Sequence, residues 1–299
     1  MSQLSRRSFL AASTLALVAP ALAIEPIKRP AKPIFKLSLA AYSLRKYLAL
    51  KPGDAGHLDF PGFLDYCAKL NLDGAELTAY YFPQTITSDY LNGLKRHAHL
   101  AGLDISGGAI GNNFTIDPGP DFDKQMATTK KWIDTYAELG APVIRVFAGN
   151  PPKGVSEDEA IKRCIPALEE ACEYAGKKGV LLAMENHDFT TKVDRLLQIV
   201  AAVKSPWFGV NFDSGNFSSA TPYEDMVKIA PYAINAQIKV ELKISGKAEP
   251  TDIPRVVNIL KNANYSGYIV LEYEAAQEPY EAIPRHVEAL RKVVREARG

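Results

Sequence analysis

A chain of 299 residues that is 47% hydrophobic can build a large core, and its 35 basic against 34 acidic side chains leave a formal charge of +1. That balance, with no long run of like charge, argues against a nucleic-acid partner, which would call for a basic stripe. Three cysteines, Cys67, Cys164 and Cys172, are odd in number and lack C-x-x-C spacing, so they read as buried small apolar side chains rather than a disulfide framework.

The chain opens on Ser5-Arg6-Arg7-Ser8-Phe9-Leu10, followed by an uncharged stretch over 11–24 that contains Ala21-Leu22-Ala23. An arginine pair, a short alanine-rich apolar run and small residues at 21 and 23 make a twin-arginine type of signal peptide over 1–23, cleaved after Ala23. The run is too short for a membrane span. The expected mature protein is therefore periplasmic, with no stable membrane insertion. Residues 24–34, with Pro26, Pro30 and Pro33, read as an extended leader, and 35–299 as one domain.

From residue 35 onward two textures alternate. Short β-rich apolar runs fall near 35–42, 74–78, 103–110, 142–148, 180–185, 208–213, 233–240 and 268–273. Longer amphipathic stretches fall near 60–70, 89–101, 121–139, 156–178, 191–203, 222–230, 252–263 and 280–297. Runs such as VLLAM and YIVL lack polar alternation, which marks strands buried on both faces, hence a parallel sheet covered by helices. The helix ends carry their own signals: Ser156 with Glu159 as a capping box, Gly102, Gly140 and Gly179 after helical stretches, and Pro222 at a first turn. Eight such units, with no Gly-rich dinucleotide fingerprint after the first strand, predict an α/β fold, a single (β/α)₈ TIM barrel.

Four of the strands end on a polar side chain: Glu185 in VLLAME, Asp213 in FGVNFD, Gln237 in NAQI and Glu272 in YIVLE. Barrel closure brings the C-terminal ends of parallel strands to one face, so these four meet at strands 5 to 8. Carboxylates with one neutral oxygen ligand suit one divalent cation, Mn²⁺ or Mg²⁺ ahead of Zn²⁺ or Co²⁺. A carbon next to a carbonyl is barely acidic, and a site that removes its proton needs positive charge at the oxygen and a positioned carboxylate.

The order Glu185, Asp213-Ser214-Gly215-Asn216, residue 237 and Glu272 at successive strand ends resembles the xylose-isomerase-like sugar isomerase/epimerase superfamily over roughly 35–295. The resemblance implies a metal held by Glu185, Asp213, Gln237 and Glu272, with the two glutamates shuttling a proton beside the carbonyl of a keto-sugar. It implies Asn216 as a substrate-binding residue. The chain departs from the pattern at Gln237, where most relatives carry histidine. Gln237 together with Glu185-x-His187 resembles the subset acting on 3-keto-glycosides, the lyases and C-glycoside deglycosidases. There His187 would be the base for loss of the C2 proton, the aglycone would leave C1 by β-elimination, and Lys239 or Asn216 would steady the enolate.

Asn112 and Asn113, after the third strand, are candidate contacts to substrate hydroxyls, and Tyr42, Glu76, Tyr80 and Phe147 at other strand ends are candidates for the pocket wall. His97 and His99 stand two apart on a helix and cannot share a face. The endonuclease branch of such barrels uses several zinc ions and many histidines, and five histidines without a basic stripe argue against it. A non-catalytic sugar-binding barrel is the remaining class. The expected partner is a small sugar or keto-glycoside; a homo-oligomer is compatible with the sequence.

Overall fold

The structure, a computed structural model, describes residues 25–298. The signal peptide expected over 1–23 lies outside the described residues. Eight strands close into a barrel: β1 (Phe35–Ala40), β2 (Gly74–Thr78), β3 (Asp104–Ala109), β4 (Val143–Val146), β5 (Leu181–Glu185), β6 (Phe208–Asp213), β7 (Ala233–Ile238) and β10 (Gly267–Leu271). Their order around the barrel is β1-β10-β7-β6-β5-β4-β3-β2, each pair parallel. Most strand residues are buried, as apolar runs without alternation require.

The helices are α1 (Arg45–Leu48), α2 (Phe60–Lys69), α3 (Ser88–Leu100), α4 (Pro120–Leu139), α5 (Glu157–Lys177), α6 (Val193–Ala202), α7 (Pro222–Ile229), α8 (Ile253–Asn262) and α9 (Pro279–Arg298). Ser156 Oγ accepts from Glu159 N at 3.2 Å and so caps α5. The second half of the expected capping box is missing, because the Glu159 carboxylate takes Arg163 one turn on at 3.1 Å instead. Gly140 ends α4 in the left-handed region at φ 86°, as the sequence predicts.

One element was not expected from the sequence. Between β7 and α8 an antiparallel hairpin, β8 (Glu241–Ile244) and β9 (Lys247–Pro250), stands outside the barrel. Its two-residue turn, Ser245-Gly246, has φ of 50° and 82°, the left-handed pair that closes a hairpin tightly. Each strand is four residues long and alternates polar with apolar side chains, so no continuous apolar run announces them. At the opposite end of the barrel the leader is tied down. Ile27 N donates to Pro231 O at 3.0 Å, Arg29 donates to Ala233 O at 2.8 Å, and Ile34 N donates to Ser266 Oγ at 3.1 Å. The leader thus crosses the N-terminal strand ends and leaves the C-terminal ends open. Among the described residues no helix is long and apolar enough to cross a membrane. All three cysteines are free and buried.

Candidate active site

The open face is organised first by one amide. Asn186, just past β5, donates from Nδ2 to Asp213 O and Asn216 O, both at 2.9 Å, while its Oδ1 accepts from Asp213 N at 2.9 Å. It thereby staples the end of β5 to the loop after β6. Asp213 completes that loop: its Oδ1 accepts from Gly215 N at 2.7 Å and Asn216 N at 3.0 Å. Its other oxygen, Oδ2, is left to face the barrel axis.

Lys239, one residue past β7, fills that place. Its Nζ lies 3.2 Å from Asp213 Oδ2, 3.4 Å from Glu272 Oε2 and 2.8 Å from Glu274 Oε1, and donates to Asn216 Oδ1 at 3.2 Å. Asp213 Oδ2 has no hydrogen-bond geometry to any donor, so its tie to Lys239 is ionic attraction alone. One ammonium cannot balance three carboxylates out of water. Burial pushes the Asp213 carboxyl up to about 6 against the pull of Lys239, with Glu185 adding to the push. Burial likewise raises Glu272 well above the usual carboxylate range against the pull of Lys239, with Asp213, Glu185 and Glu274 adding to the push. Burial works against the charge on Lys239, but the surrounding carboxylates overcome it and hold the amine well above its ordinary value.

Glu185 belongs to a separate pair. Its Oε2 is 3.0 Å from Arg145 Nε on β4, and its Oε1 accepts from Asn216 Nδ2 at 2.7 Å. Arg145 is buried, donates from Nη1 to Ile110 O at 2.7 Å, and lays its guanidinium 3.9 Å from the centroid of the Phe147 ring. Burial alone would lower that guanidinium, yet Glu185 beside it keeps it charged. His187 stacks on the other partner of this wall, with ring centroids of His187 and Phe147 4.5 Å apart. The strand does not continue to His187: its N–H turns back to Glu185 O at 2.9 Å. His187 Nδ1 is buried 3.2 Å from Asp188 Oδ1, without hydrogen-bond geometry to it.

Gln237 sits deeper. Its Nε2 donates to Glu76 Oε1 at 2.6 Å and its Oε1 accepts from Asn211 Nδ2 at 2.6 Å. Asn235 Nδ2 closes the ring, donating to Asn211 Oδ1 at 2.8 Å and to Glu76 Oε2 at 2.9 Å. Four buried side chains therefore satisfy one another beneath the mouth. Burial raises the Glu76 carboxyl to about 7, although both amides stabilise its charge.

Above this ring lies a cavity of about 250 Å³, walled by Tyr42, Tyr80 and Phe147 and lined by Arg145, Glu185, His187, Asn216, Lys239, Glu272 and Glu274. A second hollow of about 190 Å³ shares Asn216, Lys239 and Glu274 and extends under the hairpin at Leu242 and Lys243. Of the residues picked from sequence, Glu185, Glu272, His187, Asn216 and Lys239 line the first cavity, and Asp213 is buried against Lys239. Asn112 and Asn113 do not reach it. Asn112 exchanges hydrogen bonds with the Phe147 backbone at 2.7 and 2.8 Å, and Asn113 is consumed by Asn150 O and Thr115.

The four expected metal ligands are likewise engaged. Asp213 and Glu272 face an ammonium, Glu185 a guanidinium, and Gln237 has both ends committed. A divalent ion sits about 2.0–2.6 Å from its oxygens, and here the ammonium of Lys239 stands in that space. Among the described residues no group of three or more His, Cys, Asp or Glu side chains is arranged to hold a metal ion. So disposed, the donor set does not fit one.

Sequence reasoning missed Arg145, Glu274 and Asn186. Arg145 had a signal, a charge inside the all-buried run VIRV, which only a buried partner permits. Glu274 lies two past Glu272, the same spacing that drew attention to His187.

A model of the family described as xylose isomerase-like TIM barrel matches residues 64–293. Solved structures agree in fold. The IOLI protein with a bound zinc atom superposes with a TM-score of 0.70 at 16% identity, covering 88% of this chain and 97% of that one. D-psicose 3-epimerase from Clostridium cellulolyticum H10, solved with D-tagatose, gives 0.63 at 16% identity over 88% and 95%. A xylose isomerase domain protein from Planctomyces limnophilus gives 0.64 at 16% identity over 90% and 98%. No curated protein matches the chain in sequence.

Proposed function

The chain belongs to the xylose isomerase-like TIM-barrel family, and from that premise we propose that it is a sugar isomerase/epimerase-type enzyme that removes a proton from the carbon beside a keto-sugar's carbonyl. The observation that carries this reading is two carboxylates in different electrostatic settings, Glu185 against Arg145 and Glu272 among other carboxylates, on one small cavity. Around the barrel β6 and β7 separate the strands that bear them, so they meet a bound sugar from different sides.

In the proposed step a carboxylate takes the proton. The C–H electron pair becomes the carbon–carbon double bond of an enediolate, and the carbonyl π pair moves onto oxygen. Glu185, ion-paired to Arg145, is the base; Glu272, held high by burial, keeps a proton to return. The N–H groups of Lys239 and Arg145 supply the positive charge that the oxyanion needs. The cavity is below the roughly 300–1,000 Å³ of sites for drug-sized ligands, a size suited to one sugar ring.

A second reading has its own support. His187 on the cavity wall and the adjoining hollow, room for an aglycone, favour a 3-keto-glycoside 1,2-lyase with His187 as base. Product analysis after incubation with free ketoses and with a 3-keto-glucoside divides the two: a new epimer or isomer supports the first reading, and released aglycone the second. Neither product from any of these substrates would leave the non-catalytic sugar-binding barrel. Periplasmic location by twin-arginine export is part of the proposal and is supported by the motif at residues 5–10.

A further inference from the structure

We propose that the Lys239 ammonium is this site's resident cation, occupying the cage of Asp213, Glu272 and Glu274 in place of a divalent metal ion. Its placement is built at three levels. The backbone N–H of Lys239 donates to Ser214 Oγ at 2.8 Å, fixing where the side chain departs. The aliphatic stem runs over Gly215, where an added Cβ would stand 2.6 Å from Lys239 Cδ and 3.0 Å from Glu241 O. The head meets four oxygens within 3.4 Å, one each from Asp213, Glu272, Glu274 and Asn216, and the side chain is only 12% exposed. A rotamer held at backbone, stem and head is part of the folded site.

The other expected ligands are withdrawn in step. Gln237, two residues earlier on the same face of β7, turns its amide into the ring with Glu76 and Asn211, while Glu185 answers to Arg145. Each of the four side chains expected to hold a metal ion thus faces a cation or an amide of this chain. Two fixed cations then do the electrostatic work of one divalent ion, from 2.8 to 3.4 Å rather than the roughly 2.0–2.6 Å of metal coordination. The role given to Lys239 at the substrate oxygen depends on the proton-abstraction reading; the claim about ion binding does not.

The test is Mn²⁺ titration of the chelator-treated, dialysed full chain, followed by the electron paramagnetic resonance of free Mn²⁺. Wild type is expected to take up none at this cage below about 1 mM. Lys239→Met, which empties the cage, is expected to gain one site of about 10 μM or tighter, within the range of oxygen-built sensor sites, and the further change Asp213→Asn removes it. One equivalent of Mn²⁺ bound tightly by wild type and lost on Asp213→Asn would overturn the proposal, as would a folded Lys239→Met that gains no site. If Lys239→Met does not fold, Lys239→Arg and wild type decide: both free of Mn²⁺ supports the proposal, and uptake by either sinks it. Turnover that requires added Mn²⁺ would reject the resident-cation claim and keep the proton-abstraction reading. Absent turnover with the wild-type and Lys239→Met titrations as expected would do the reverse.

Discussion

Arg145 Nε lies 3.0 Å from Glu185 Oε2, in a pair that is nearly closed to solvent. The same guanidinium is held by Ile110 O and by the face of Phe147, so Glu185 has a fixed counter-charge rather than a mobile one. Glu272, the other proposed proton carrier, is set among three carboxylates with one lysine between them. The two glutamates should therefore respond in opposite ways to the same substitution.

Glu185→Gln is expected to destabilise the protein, because it strands a buried guanidinium, by about 3–5 kcal/mol. Glu272→Gln removes one of several crowded carboxylates and is expected to leave stability unchanged or raised. Both should lose turnover by about 10²–10⁴-fold, the typical worth of a positioned acid or base. Urea midpoints with parallel rate measurements check this; near-normal turnover in either variant removes its proton-transfer role.

Arg145→Lys should not rescue Arg145→Met. A lysine carries the charge but cannot point one N–H at Ile110 O while facing Glu185 and covering Phe147. Both variants are expected to fall by more than tenfold in kcat/KM, and recovery by lysine would mean that charge alone suffices.

Gly215→Ala tests the path of Lys239 without touching its charge. The new methyl would meet Lys239 Cδ at 2.6 Å, so the stem must move. A stability cost of about 1–3 kcal/mol, as for overpacking, should accompany a fall in kcat. Unchanged kcat would show that the ammonium need not stand where it does.

Glu76 gives the pH dependence. Its carboxyl titrates at 4.5 ordinarily and at about 7 in the buried amide ring. Below pH 4.5 it is protonated in both states and contributes no slope. Between the two values the native state holds a proton that the unfolded state has lost, so stability falls as pH rises and is lowest, in this contribution, above 7. The span corresponds to about 3 kcal/mol for this fully buried group. Between pH 5 and pH 8 the unfolding free energy of wild type should fall by more than that of Glu76→Gln, in which the raised carboxyls of Asp213 and Glu272 still contribute.

The barrel was readable because its strands are short apolar runs and its helices carry caps, both local features. The hairpin over 241–250 was not, since its strands are only four residues each and contain no continuous apolar run. Glu185, Asp213 and Glu272 could be picked out as charges ending apolar runs. The departure at Gln237 was legible as well, but its meaning was not: only closure of the barrel brings Glu76 from β2 to Gln237 on β7, across the interior. Asn112 and Asn113 misled for a similar reason, as nothing in the sequence says that the Phe147 backbone and Asn150 would claim them. Lys239 was visible as a candidate enolate contact, while its three carboxylate neighbours come from two other strand ends.

The most direct measurement is deuterium wash-in at the carbon next to the carbonyl, followed by NMR in D₂O with chelator-treated protein and a panel of ketoses and 3-keto-glycosides. The expected result is exchange with at least one substrate, abolished by Glu185→Gln and Glu272→Gln. No exchange with any of them, with or without added Mn²⁺, would contradict proton abstraction beside a carbonyl as the chemistry of this site.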